Sequence, residues 1–312
     1  MNRPSVAAAL VLCVMSGAPG QPAPAEEQAA YRAALAYLED FNLPIAYQWL
    51  GDAIEEARDD DERAHARLVR VTFAGAEATA SMLAYAHLLT LHRDASETGK
   101  SDCVRWGQQA QQRALELAPM IAADVEGLLG FQGGEIQFDI ALDAAKLSAG
   151  HIVWDSDALD FDLPQSEEQM RRQVRLLVGA CIGAALLSLT SESKDDAREA
   201  EDDWKQAIKA AADAGKPLEV GVSATMSAIM MYAGHLLAYL SELAEFARDP
   251  SLPRCVTLGI ACCERVLALE TNPYSKRRTA AEKRLRNLRN RYERARLLFP
   301  AETKPTTSAP AQ

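Results

Sequence analysis

Residues 33–57, AALAYLEDFNLPIAYQWLGDAIEEA, constrain the fold more than any other stretch of this chain. The apolar residues recur at helical spacing on both sides of a break at Asn42-Leu43-Pro44, so the segment reads as two helices joined by a tight turn. Ala34, Tyr37, Ala46, Leu50 and Ala53 follow in a fixed order, the last four lying 3, 12, 16 and 19 residues after the first. Small side chains at Ala34, Ala46 and Ala53 let two helix backbones approach closely, and Tyr37 and Leu50 fill the space between them. The expected unit is therefore an antiparallel helical hairpin.

The second half of this pattern recurs. GQQAQQRALELAP places Gly107, Gln111, Ala114, Leu115 and Pro119 in register. AREAEDDWKQAI places Ala200, Trp204, Ala207 and Ile208, and ACCERVLALETNP places Ala261, Arg265, Ala268, Leu269 and Pro273. The small–Tyr–Ala–apolar–Ala register of residues 34–53 resembles a tetratricopeptide repeat. It departs from that pattern at Ala30, where the family has its first Trp, and at Arg58, where it has its closing Pro. The resemblance implies stacked helix pairs with a groove lined by the first helix of each pair, and a protein or peptide held there.

Four hairpins are expected, with first helices near 27–41, 62–92, 167–190 and 219–247 and second helices near 45–58, 102–118, 195–214 and 254–270. The fold class is all-α: antiparallel helix pairs stacked as a degenerate TPR-like solenoid or a compact helical bundle. An irregular insert covers about 119–165, with short helices at 120–130 and 138–148 and then a loop. A basic helix spans 274–298, and residues 300–312 read as a disordered tail. The 15-residue run Leu176–Thr190 and the 19-residue run Val222–Leu240 are rich in Ala, Gly and Ser, and are expected to be buried helices rather than membrane spans. Gly179 and Gly183 give the first run a flat packing face.

The amino terminus sets the expected compartment. Arg3, an apolar run from Val6 to Met15 and Ala23-Pro24-Ala25 form a secretory signal, with cleavage near Ala25 and the mature chain starting near Glu26. Cys13 follows the bulky Leu12 inside the apolar run, which departs from a lipoprotein signal, so a discarded peptide is favoured over a lipid anchor. The expected location is the periplasm. A formal charge of −11 argues against a nucleic-acid partner. Five cysteines remain after cleavage, Cys103, Cys181, Cys255, Cys262 and Cys263, and an odd number does not pair fully. Cys262 and Cys263 point about 100° apart on a helix, so at most one is expected to face the core.

Motifs that carry chemistry are incomplete. Thr98–Ser101 (TGKS) lacks the preceding Gly of a phosphate loop, Asp94 standing in its place. Ser191–Lys194 has the spacing of a serine acyl enzyme without the downstream Lys-Thr-Gly. Asp155, Asp157, Asp160 and Asp162 lack the Gly and the closing Glu of a calcium loop. His87 and His92 diverge by about 140° on a helix and do not pair on a metal; His235, inside an apolar run, reads as a core histidine. No catalytic, metal or cofactor site is assigned.

The expectation is a non-catalytic exported binding or scaffold protein. The alternative is an accessory periplasmic component of a TRAP-type solute importer, with a small-molecule ligand in an internal cavity. Tyr31, Tyr37, Tyr85 and His87 are groove candidates because they lie on first helices with polar tips. The last helix carries ten of the 33 basic residues and two acids between Lys276 and Arg296. Its charges are expected to pair with the acidic runs RDDDER and DDAREAEDD; contact of Arg284, Arg291 and Arg294 with an anionic surface, membrane lipid headgroups or cell-wall polymer, is the other reading.

Overall fold

A computed structural model describes residues 29–145, 163–190 and 206–300. The signal segment, the Asp155–Asp162 run, Ser191–Lys194 and the tail lie outside the described residues. Within them the chain is all-α apart from one β-ribbon.

Helices α1 (Ala29–Glu39) and α2 (Leu43–Glu56) form the expected first hairpin. Phe41, at φ 57°, turns the chain in the left-handed region, and Pro44 sits in the first turn of α2, where its missing N–H leaves no bond unmade. Ala34, Ala46, Leu50 and Ala53 are fully buried. The small residues thus lie at a helix crossing, as their spacing implies.

Helix α3 (Asp60–Asp94) is the centre of the molecule. Asp59 caps it by accepting from the Glu62 N–H, and three acids in its first turn suit the positive end of the helix dipole. It packs on α2, on α4 (Glu97–Gly130), on α5 (Glu167–Thr190) and on α6 (Met226–Ala247). A helix so surrounded is buried over most of its circumference, and its alanines at 64, 66, 74, 76, 78, 80 and 84 all lie in the core. Gly75 marks the closest approach: a Cβ there would stand 2.6 Å from both Leu236 and the Tyr232 hydroxyl of α6. α6 is followed by α7 (Leu252–Leu269) and α8 (Lys276–Leu298), with α8 resting on α7 and α6. Contacts of α4 with α6 and α7 tie distant hairpins together. Residues 206–213 are also helical.

Three expectations are corrected. First, α4 does not stop at Pro119. It runs unbroken from Glu97 to Gly130, so no separate helix exists at 120–130. Proline removes one backbone bond, but Leu117, Ala118, Ile121 and Ala122 on either side are buried, and that packing holds the helix through the defect. Second, the helix expected from 138 is a strand. β1 (Glu135–Leu142) pairs antiparallel with β2 (Leu218–Thr225), from Glu135 opposite Thr225 to Leu142 opposite Leu218. Strict alternation in EIQFDIAL and LEVGVSAT buries Ile136, Phe138, Ile140 and Leu142 on one strand and Leu218, Val220, Val222 and Ala224 on the other. The helix expected from 219 accordingly begins at Met226. Third, Cys262 and Cys263 are both buried. α7 is covered by α6 and α8 and also touched by α4, so residues 100° apart on it both face protein.

Among the described residues, α5 is the one helix long and apolar enough by length and composition to cross a membrane. Here it packs on α3, β2 and α6, with Gly179 and Gly183 buried.

Candidate functional site

Helix α6 has two faces. Ile229, Met230, Ala233, Leu237, Leu240 and Ala244 are buried. On the opposite side His235, Tyr239, Glu242 and Phe246 follow at steps of four, three and four residues, which aligns them in one outward row. Tyr239 is 48% exposed and Phe246 is 73% exposed, a large apolar surface to leave in water. The row is also ordered. The His235 and Tyr239 rings stack with centroids 4.7 Å apart, and Phe246 lies 6.4 Å from the Tyr85 ring of α3 at a tilt of 53°. Tyr85 is backed by α4, where Gly107 leaves room for its ring.

Helix α8 supplies the charged flank. Arg284 Nη2 lies 2.8 Å from His235 Nδ1, and its Nη1 lies 3.5 Å from the Met231 sulfur. A guanidinium only donates, so Nδ1 accepts and the His235 proton sits on Nε2. No carboxylate among the described residues pairs with Arg284, and burial pushes its pKa down. Its neighbours differ. Arg291 reaches Glu245 at 2.8 Å and Glu242 at 3.0 Å, and also donates to the Ser241 hydroxyl. Arg294 grips Glu245 from the other side. Hydrogen bonds from Arg294 and Arg291 together hold the Glu245 carboxyl below the usual carboxylate range. Among the described residues, the basic helix thus finds acidic partners beyond itself in Glu242 and Glu245 on α6 and in Glu264 and Glu270 on or beside α7, rather than in the run at 58–63; the run at 195–203 lies outside the described residues.

The structure therefore brings Tyr85 and Arg284, from two different sequence expectations, to one row on α6. It removes Tyr31 from the groove candidates: the side chain is wholly buried, with its hydroxyl 2.6 Å from His65 Nε2. Tyr37 on α1 and His87 on α3 are half-buried and do not belong to the row. His235 is exposed, not a core residue, which corrects the reading of its apolar surroundings. His235 and Tyr239 were missed as site residues because each stands in the apolar run Val222–Leu240, and Phe246 because it stands alone beyond that run. The four–three–four spacing of these three residues with Glu242 was the available signal.

Other polar groups tie the interior together. Tyr47 donates to Glu77 at 2.9 Å, Arg113 donates to the same carboxylate at 2.7 Å, and Arg70 grips Asp124 with two bonds of 2.7 Å. Each of these carboxylates meets a guanidinium, the arrangement that makes a buried charge tolerable. All five described cysteines are buried and free, and burial pushes Cys181 and Cys255 up to about 12 and Cys263 to about 11, so none is a ready thiolate. Among the described residues no group of His, Cys, Asp or Glu is placed to hold a metal.

Compared with family models, curated proteins and solved structures, the chain shows no match.

Proposed function

We propose that this is a non-catalytic binding or scaffold module, exported to the periplasm, that holds a protein or peptide partner on the outward row of α6. The observation that carries the reading is the exposure of Tyr239 and Phe246 beside Tyr85 and Arg284, on a helix whose other face is anchored in the core. Aromatic and arginine side chains on a rigid support are the residues that dominate protein interfaces, since they offer large contact area at low entropic cost. The tetratricopeptide-like register of residues 34–53 fits the same role, with the binding face on α6 in place of a groove built from first helices.

Selection of random displayed peptides on the immobilised protein tests this. Peptides should be enriched that bind wild type and lose binding to a Tyr239→Ser/Phe246→Ser variant whose melting temperature is unchanged. Enriched peptides that bind the variant equally well, or no enrichment, would refute the reading.

A further inference from the structure

The α6 row has one feature that aromatic contact alone leaves unexplained. Arg278, Arg289, Arg291, Arg294 and Arg296 of α8 each meet a glutamate at 3.4 Å or less. Arg284 sits among them, half-buried, and meets only a sulfur and an imidazole nitrogen. Its Nε–H has no acceptor among the described residues. A cation drawn partly out of water without a counter-charge is unfavourable, and a carboxylate relieves that best because its two oxygens match the guanidinium fork.

We propose that Arg284, with His235 and Tyr239 beside it, is a carboxylate-recognition corner, and that the partner is a peptide bearing an acidic side chain and, further along, an aromatic one. The proposal rests on the reading of α6 as the binding face and adds the chemistry of what it binds. The geometry sets the spacing. Phe246 lies seven residues beyond Tyr239 and eleven beyond His235. At 1.5 Å per helical residue that is about 10–16 Å, or roughly three to five residues of extended peptide. The carboxylate meets Arg284 at the His235–Tyr239 end, and the aromatic ring of the peptide packs on Phe246 and Tyr85. His235 holds the guanidinium through Nδ1, so the fork is aimed before the partner arrives. Arg291 and Arg294 play no direct part, because Glu242 and Glu245 already neutralise them.

The test uses the full chain and two fluorescein-labelled peptides, one with Glu and Phe about four positions apart on a Ser-Gly backbone and a twin with Gln for Glu. Anisotropy should show the Glu peptide binding about tenfold tighter than its twin. That preference should vanish in Arg284→Gln and shrink in Arg284→Lys, which keeps the charge without the fork. Arg286→Gln, an exposed change on the same helix, should leave it intact. Equal binding of the two peptides, or a preference that survives Arg284→Gln, overturns the carboxylate corner while leaving the α6 face standing if Phe246→Ser still weakens both. Binding of neither peptide overturns the corner; the displayed-peptide selection then decides the face separately. Salt-sensitive binding to phosphatidylglycerol vesicles that is lost in Arg284→Gln, with no peptide preference, would assign the corner to lipid headgroups and also overturn it.

Discussion

Lowering the pH should weaken this fold through one buried histidine. His65 sits in α3 with 5% of its surface exposed, its Nε2 2.6 Å from the Tyr31 hydroxyl and its ring against the edge of Phe138. Burial lowers its pKa to about 4 from an unfolded value of 6.5. Between these two values the unfolded chain binds a proton that the folded chain refuses, so stability rises with pH there and is lost as pH falls from 6.5 towards 4. The full difference corresponds to about 3 kcal/mol, of which about 2 kcal/mol is lost between pH 7 and pH 4.5. Acidic side chains titrate in the same range, so the assay compares wild type with His65→Gln, which retains both a donor and an acceptor for Tyr31 and carries no proton. Urea unfolding at pH 7, 6, 5 and 4.5 should show the wild type losing about 2 kcal/mol more than the variant. Parallel pH profiles would refute the reasoning, and would mean that His65 opens to water before it charges.

Two further predictions follow from packing and backbone. Ala53→Leu places a branched side chain in a crossing with no exposed surface and should cost about 1–3 kcal/mol in thermal unfolding; a wild-type melting temperature would contradict the hairpin contact. Arg248 ends α6 in the left-handed region at φ 54° with its side chain exposed, so Arg248→Gly should raise stability by about 0.5–1 kcal/mol, and a loss in the same melt would show that the side chain has a structural role.

The helices were legible where local signals agree with burial. α5 spans 167–190 as expected, α3 extends two residues beyond expectation at each end, and α8 begins two residues later than expected. The β-ribbon was hidden because LEVGVSAT runs directly into the apolar α6, and its partner EIQFDIAL lies far away in sequence. Each strand shows period-two alternation, but neither helix nor strand is decided by so short a run until the pairing is known. Pro119 misled for the opposite reason: a local breaker was overridden by packing of its neighbours. The candidate site was half visible. Tyr85 and Arg284 stood out as polar tips and basic charge, whereas His235 looked buried because its sequence neighbours are apolar. Only the direction of α6 against α3 and α8 separates its two faces.

The central claim is that the partner lies on α6. Replacing Phe246 with the photoreactive residue benzoyl-phenylalanine, and Tyr274 likewise in a second protein, tests it most directly. Both side chains are exposed, at 73% and 90%, but Tyr274 stands in the connection between α7 and α8, off the row. After irradiation with a peptide taken from the selection, mass spectrometry should find the cross-link at position 246 and little at 274. Equal cross-linking at both positions, or cross-linking at 274 alone, would contradict the account.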